Sequence, residues 1–470
     1  MKQAIQLILK QDLKNSMSFP EFLFRADGGF IRVPVWGHIP LDVALKKTIS
    51  HPTFLRLKGI KQLSFAHYVF PGATHTRFEH SIGVYHLTRL ILQRLLTNPL
   101  TQSLQSQSFS FDERACKLIL AASLLHDIGH YPHAHLVETT ALTCKNEVIF
   151  KDHQDLTIER VFEQREGFGS LAEILAEAWS LDPTEVATMV TGKKKMTFSK
   201  LISGTLDPDK MDYLMRDAHH CSVPYGNIDI ERLIESFVPD AKRKRFAITS
   251  KGIAPFESLM FAKYAMMRNV YWHHTVRTIS AMLKRFVQDA LDEAQFSQHD
   301  VQQIFYHNTD ERVLDDLLDA LPKPLFPPSE LLLSILERRP YKRAITLPIS
   351  PNEPWQFELA TDAKRRKEKE MELCRYLNRK FRLNLNGYEV VIDAPSAKSI
   401  FDYNDFSELQ LYREKRGAFV PFSESGESAF TSSFIAEFER ATKKLRVTAE
   451  ASIVEKIRRS ENEVIGILRA

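Results

Sequence analysis

The sequence predicts a mainly α-helical protein with a smaller α+β region toward its C-terminal end. Three observations carry this expectation. Apolar residues recur at three- and four-residue spacing through most of the chain, strand-like alternation is confined to short pieces, and a run of prolines breaks the helical pattern past the middle. The helical period marks Leu41 to Ile49, Arg77 to Leu96, Glu113 to Leu125, Leu171 to Trp179, Lys210 to Ala218, Phe256 to Leu291, Glu311 to Leu321 and Phe434 to Leu445. Alternation marks Arg245 to Thr249 and Tyr388 to Ile392. Pro322, Pro324, Pro327 and Pro328, followed by Pro340, Pro348, Pro351 and Pro354, set a boundary between roughly 295 and 355. The expected organisation is an N-terminal segment 1–29, a helical domain 30–295 and an α+β region 296–470 that serves oligomerisation or regulation. No period of a repeat protein is visible.

With 470 residues, 44% hydrophobic and 26% charged, the chain can bury one large core or two to three ordinary ones, which excludes disordered and fibrous classes. A net charge of +4 over this length is too weak for a dedicated nucleic-acid coat. Three basic clusters, Lys193 to Lys195, Lys242 to Arg245 and Lys364 to Lys367, read first as solvated loops or helix faces. Cys116, Cys144, Cys221 and Cys374 are far apart and form no CxxC pair, so neither a disulfide framework nor a zinc knuckle is expected. The apolar stretch Ala4 to Leu9 is too short for a signal core or a membrane span. The expectation is a cytoplasmic protein without a membrane segment.

Seventeen histidines are many beside four cysteines, and they cluster: His75, His80 and His86; His126, His130, His133 and His135; His153; His219 and His220. Ser123-Leu-Leu-His-Asp-Ile-Gly-His130 sets imidazole and carboxylate side by side at the end of an apolar helix, with Gly129 suited to stop it. Neutral imidazole and carboxylate together suit a first-row divalent metal. A His-Asp pair alone carries little, since His299-Asp300 is a second one outside any histidine cluster. Context carries more. Arg77 and His80, three apart, share a helix face. Leu206-Asp-Pro-Asp-Lys-Met-Asp-Tyr213 reads as a helix start with Asp207 at the N-cap and Pro208 at the first helical position. Asp209, Tyr213 and Asp217 then lie at i, i+4 and i+8 on one face, with Lys210 beside them.

His80, His126-Asp127 and Asp209 resemble the H…HD…D signature of the HD-domain metal phosphohydrolases. The resemblance is closer to their deoxynucleoside triphosphate triphosphohydrolase branch, which includes the bacterial dGTPases and the animal HD restriction factor. It is carried by Ile60-Lys-Gln-Leu63, Val69-Phe-Pro-Gly-Ala-Thr-His-Thr-Arg-Phe-Glu-His-Ser-Ile-Gly-Val84, Leu124-Leu-His-Asp-Ile-Gly-His130, Asp209-Lys-Met-Asp-Tyr213 and Arg216-Asp-Ala-His-His220. It spans about Phe30 to Arg285 and, more loosely, the C-terminal region.

The resemblance implies an HD-domain helical core and an enzyme that acts as a homo-oligomer, dimer or tetramer, on a small nucleotide. His80, His126, Asp127 and Asp209 would hold one divalent metal, with iron, manganese, zinc and magnesium all open and an additional magnesium accompanying the triphosphate as an option. Water activated at that metal attacks the α-phosphorus, and triphosphate separates from the nucleoside 5′-oxygen. His153 stands at the general-acid position, His130 is the other candidate proton donor, and Gln154 would orient the His153 imidazole where the family usually has Glu. Arg77 and Lys210 would hold phosphate oxygens, and His135 matches a phosphate-contacting position. Tyr213 would bond the triphosphate or sugar, Gln62 and Asp217 match residues that bind the 3′-hydroxyl, and Leu63 and Tyr271 match residues that crowd the 2′ position. Tyr271 also lies in an aromatic and methionine-rich segment, where core packing is the alternative account of it.

The departures from the family are specific. Lys263 replaces an arginine that reaches the terminal phosphate, and Met267 replaces a histidine of the animal members. In regulated relatives the stretch Ser50-His-Pro-Thr-Phe-Leu-Arg-Leu-Lys58 carries an Asp, a Gln and an Arg that read a guanine nucleotide; here Ser50, Leu55 and Lys58 stand there. Two other functions compete: an HD-type phosphomonoesterase or phosphodiesterase on another nucleotide, and a nucleotide- or nucleic-acid-binding protein with weak activity.

Overall fold

The computed structural model describes residues 21–104, 111–133, 143–144, 147–192, 196, 198–202, 204–243, 245–321, 326–350, 352–395 and 408–470. Its axis is the helix Arg77–Thr97, started by a capping box between Thr76 and Glu79. Side chains all round this helix are buried, from Arg77 and His80 through Ile82, Leu87 and Ile91 to Leu95, as expected of an element enclosed by others. Two helices pack directly against it. Glu113–Leu125 is capped by Asp112, which accepts from the Ala115 N–H at 2.7 Å. Pro208–His220 is capped by Asp207 with Pro208 in its first turn, as the sequence predicts.

The helical period from Phe256 to Leu291 predicts one continuous helix, and the structure breaks it. Helix Ile253–Met266 runs into a widened turn over Met267–Tyr271, and His274–Asp292 begins afresh, with the His273 ring accepting from the Thr275 N–H. Hydrophobic periodicity does not mark such a turn, because the helices on both sides of it bury apolar stripes of the same period. Similarly, the period from Phe434 to Leu445 runs past the true end of helix Ser432–Thr442 into the strand Lys444–Ala449.

Small sheets follow. Lys444–Ala449 lies between Lys342–Pro348 and Val390–Asp393, antiparallel to both, and helices Ala363–Phe381 and Val454–Arg458 pack on this sheet. A second core of its own lies here, built from Ile345, Leu373, Leu377, Val447 and Leu468 among others. A four-stranded sheet joins Phe237–Asp240 and Arg245–Thr249 to Gln410–Arg413 and Ala418–Pro421, the pairing of Arg245–Thr249 with Gln410–Arg413 being parallel. Strands from the middle and the end of the chain thus share one sheet. Among the described residues no helix is long and apolar enough to cross a membrane.

Candidate active site

Three helix ends meet at one point. His80 lies in the first turn of Arg77–Thr97, His126 follows the last residue of Glu113–Leu125, and Asp209 lies in the first turn of Pro208–His220. The His80 Nε2 atom is 3.0 Å from Asp209 Oδ1 and 3.2 Å from His126 Nε2. Asp127 closes the group, with one oxygen 3.7 Å from His80 Nε2 and the other 3.4 Å from His126 Nε2. The four sequence-predicted ligands are therefore brought together. His80, His126 and Asp209 alone already place their ligand atoms within 4.8 Å of one another.

The second nitrogen of each ring fixes its tautomer. His80 Nδ1 donates to Asp212 at 2.8 Å, and His126 Nδ1 donates to the Ser123 carbonyl at 2.8 Å. Each ring therefore turns an Nε2 lone pair toward the same centre, and two such lone pairs at 3.2 Å require a cation between or on them. Burial alone would depress the His80 imidazole, but Asp209 and Asp212 outweigh it and raise it to about 10. The donor set fits a first-row divalent ion, which would replace that proton.

The carboxylates are ionised for the same reason. Burial would raise Asp127, but Arg77 foremost, then His126 and His130, hold it well below the usual carboxylate range. The Arg77 Nη1 donor sits 2.5 Å from Asp127 Oδ2 and the His130 Nε2 atom 3.0 Å from Oδ1. Arg77 is buried at 2% exposure. Its charge is engaged with Asp127, a candidate metal ligand.

His130 and His153 are stacked, their ring centroids 4.1 Å apart. Gly129 makes this possible, though not as a left-handed helix stop: a Cβ at this position would meet the His153 carbonyl oxygen at 2.0 Å and the Thr157 nitrogen at 2.8 Å. The acid beside His153 is Asp152, 3.4 Å from Nδ1, whereas Gln154 is exposed and gives its backbone N–H to Asp152. Asp152 is therefore a further candidate for orienting the His153 ring.

Lys210 Nζ donates to the Gly204 carbonyl and to Asp207 Oδ2, both at 2.7 Å, tying down the loop before its own helix. The stripe of Pro208–His220 continues toward the widened turn: the Tyr213 and Tyr271 rings are 6.2 Å apart, and the Tyr271 hydroxyl donates to Asp217 Oδ2 at 2.6 Å. The other Asp217 oxygen lies 2.7 Å from His75 Nε2. Gln62 is buried with its Oε1 unpartnered, and Leu63 is half-buried beside it. Lys263 is half-buried on the helix before the widened turn, and Met267 opens that turn. His135 lies outside the described residues.

Several supporting residues escaped sequence reasoning. Asp212, fully buried, accepts from His80, from both Nε and Nη2 of Arg216 at 2.8 Å, and from the Trp36 indole. Gly83 leaves room for it, since a Cβ there would lie 1.9 Å from Asp212 Oδ1. Arg56 donates to the Ile128 and His130 carbonyls at 2.7 and 3.0 Å, and Asp310 binds the Lys61 and His133 N–H groups at 2.7 and 2.8 Å. Asp212 had a signal, three residues past Asp209 inside a quoted motif; Asp310, from a helix far along the chain, had none. His299-Asp300 proves local, Asp300 completing a capping box with Ser297.

Comparison with known proteins adds the following. The HD domain family matches residues 77–193, and the family described as HD associated region matches residues 228–469. The uncharacterized protein YwfO of Bacillus subtilis is 32% identical over 268 residues, which cover 57% of this chain and 55% of that protein. The deoxynucleoside triphosphate triphosphohydrolase SAMHD1 of Gallus gallus is 27% identical over 283 residues, covering 55% of this chain and 44% of that protein. The chain thus spans about half the length of these curated relatives. A crystal structure of a phosphohydrolase from Bacteroides thetaiotaomicron shares the fold with a TM-score of 0.65 at 24% identity, covering 90% of this chain and 99% of that one.

Proposed function

Because this chain belongs to the HD-domain phosphohydrolase family, we propose that it is a metal-dependent triphosphohydrolase that converts deoxynucleoside triphosphates to deoxynucleosides and triphosphate. The observation that carries this reading is the meeting of two imidazole lone pairs and two ionised carboxylates at one centre, with the Tyr213, Tyr271 and Asp217 face continuing from it. The similarity to the chicken triphosphohydrolase supports the substrate class.

His80, His126, Asp127 and Asp209 would hold the divalent ion, which supplies Lewis acidity toward a phosphate oxygen and a more acidic water. The protein's own groups do the rest. Arg77 and His130 fix the Asp127 carboxylate, and Asp212 fixes the His80 ring. Hydrolysis forms a bond from the water oxygen to the α-phosphorus and breaks the bond to the 5′-oxygen. The water loses a proton and the 5′-oxygen gains one. His153 is the donor to that oxygen, and His130 stacked on it holds the ring in place. Leu63 and Tyr271 crowd the sugar, and Gln62 and Asp217 meet its 3′-hydroxyl.

One observation favours a second reading. Both cations expected at the triphosphate, Arg77 and Lys210, are bound to protein groups, Arg77 to Asp127 and Lys210 to Gly204 and Asp207. A phosphomonoesterase or phosphodiesterase acting on another nucleotide needs fewer cations. A panel of four deoxynucleotides and four ribonucleotides, with the metal varied among iron, manganese, zinc and magnesium and the products separated by chromatography, distinguishes the two. Released triphosphate supports the first reading; orthophosphate, or cleavage of a cyclic nucleotide, supports the second. A homo-oligomer belongs to the first reading and is checked by sedimentation.

A further inference from the structure

Apart from the group of candidate metal ligands, a cleft opens between helix His274–Asp292 and the α+β region. Arg277, Ser280, Lys284 and Gln288 form one stripe of that helix at i, i+3, i+7 and i+11. Arg366, Lys367 and Glu370 face them from helix Ala363–Phe381, and Asp393 closes the end from its strand. The basic cluster at 364–367, which reads in the sequence as a solvated helix face, therefore turns two of its side chains into this cleft.

The charges do not balance. Arg277, Lys284, Arg285, Arg366 and Lys367 line the cleft against Glu370 and Asp393, and both carboxylates are already engaged. Asp393 accepts from Arg277 Nε at 3.0 Å and from Arg446 Nη1 at 2.9 Å, while Glu370 accepts from Arg285 and from the Ile392 N–H at 2.7 Å. Lys367 is spent on Asp289 and Asp292, at 2.7 and 2.6 Å. What remains is Lys284, whose ammonium makes no hydrogen bond or ion pair among the described residues, and Arg366, whose guanidinium bonds the Leu359 carbonyl at 2.7 Å. Burial, then Arg277 and Arg366 beside it, push the Lys284 ammonium down to about 7. A fold gains no stability by gathering such cations, since an apolar side chain of the same length would sit there without a desolvation penalty.

We propose that this cleft binds a phosphorylated small molecule, with Lys284 and Arg366 converging on its phosphate from opposite walls and Arg277 alongside. A guanidinium fork and a point-charge ammonium are the pair that suits a tetrahedral dianion. Ala281, Ala363 and Val391 give the uncharged part of such a ligand a small apolar surface.

Calorimetric titration with inorganic tripolyphosphate tests this in the Asp209→Asn protein, where binding at the metal centre is impaired. Saturable binding is expected to persist there and to weaken about tenfold or more when Lys284→Met and Arg366→Met are added. A thermal measurement guards against misfolding. In the otherwise unaltered chain, Lys284→Met is expected to raise the melting temperature without anion, because an unpaired cation is removed, and to lose most of the rise that tripolyphosphate gives the wild type. Equal affinity with and without the two methionines, or no saturable binding in Asp209→Asn up to about 10 mM, overturns the assignment.

Discussion

The Nδ1 atom of His80 lies 2.8 Å from a carboxylate oxygen of Asp212, and both side chains are buried, at 1% and 0% exposure. Such a partner fixes the ring of a metal-binding imidazole and raises its basicity. Asp212→Asn keeps the volume but removes the negative charge, so divalent-metal affinity is expected to fall about 10- to 100-fold. Chelator competition and elemental analysis measure this. Undiminished affinity would mean that Asp212 serves Arg216 and packing alone.

Removing a ligand goes further. His126→Ala or Asp127→Ala deletes a donor from the centre itself, so bound metal and turnover are expected to vanish together while the far-ultraviolet spectrum stays helical. Elemental analysis of both variants decides it: full metal occupancy in each would refute the ligand set.

Gly129→Ala probes the stacked pair. The new methyl group would press on the His153 carbonyl and the start of its helix, which must move to admit it. Overpacking of this kind costs about 1–3 kcal/mol. The His130 and His153 rings should separate, lowering turnover while metal content is kept. Unchanged turnover would remove His153 from the chemistry.

The four candidate ligands were legible in the sequence because imidazole next to carboxylate at a helix end is a chemical statement, and His80 and Asp209 follow from the motif that surrounds them. Their supports were less so. Asp212 was hidden by the i, i+4, i+8 stripe, which draws the eye to Asp209, Tyr213 and Asp217 and passes over the inner face of the same helix. The family resemblance implies a phosphate contact for Arg77, and only the fold brings its guanidinium to Asp127. Glycine was rightly singled out at position 129, but by a conformational rule, whereas the cause is close approach of a helix almost thirty residues on. The widened turn at Met267–Tyr271 leaves no trace in periodicity, yet it accompanies the meeting of Tyr271 with Asp217.

In the proposed reading, discrimination between sugars rests on crowding rather than on a hydrogen bond. Leu63→Gly or Tyr271→Ala is therefore expected to raise the relative efficiency on ribonucleotides. Tyr271→Phe, which keeps the ring and loses only the bond to Asp217, should leave the ratio nearer the wild type. A ratio of deoxy to ribo efficiencies that is the same in all three would place the sugar elsewhere.

His86 gives the protein an acid-sensitive core. Burial foremost, with Arg89 beside it and only partly offset by Asp212, lowers its imidazole to about 4, and its Nδ1 has no hydrogen-bond partner among the described residues. The unfolded chain takes up this proton near pH 6.5, the folded one only near 4. Stability is therefore full above the unfolded value and falls with decreasing pH across that window, by about 1.4 kcal/mol per pH unit for this group at most. His86→Leu should flatten the pH dependence of denaturant unfolding between about 6.5 and 4 relative to wild type. An unchanged slope would assign the acid sensitivity to other histidines.

Activity is expected not to need a guanine nucleotide. Reading guanine takes an acceptor for its N1 and N2 hydrogens and donors for O6 and N7, and such a site discriminates strongly because a missing partner leaves a buried group unpaired. At the three positions where regulated relatives place these groups, Ser50 is short and exposed, Leu55 offers no hydrogen bond, and Lys58 lacks the guanidinium fork. The structure gives Lys58 another occupation, its ammonium lying 4.7 Å from the centre of the Phe78 ring. Phe78 is the neighbour of Arg77, so this contact belongs to the packing of the helix start that carries His80. The measurement is hydrolysis of dATP, dCTP or dTTP alone, with and without a trace of dGTP or GTP. Equal rates are expected. A large stimulation that Lys58→Ala abolishes would show that Lys58 leaves the ring to bind a guanine nucleotide and that three altered side chains still suffice to read one.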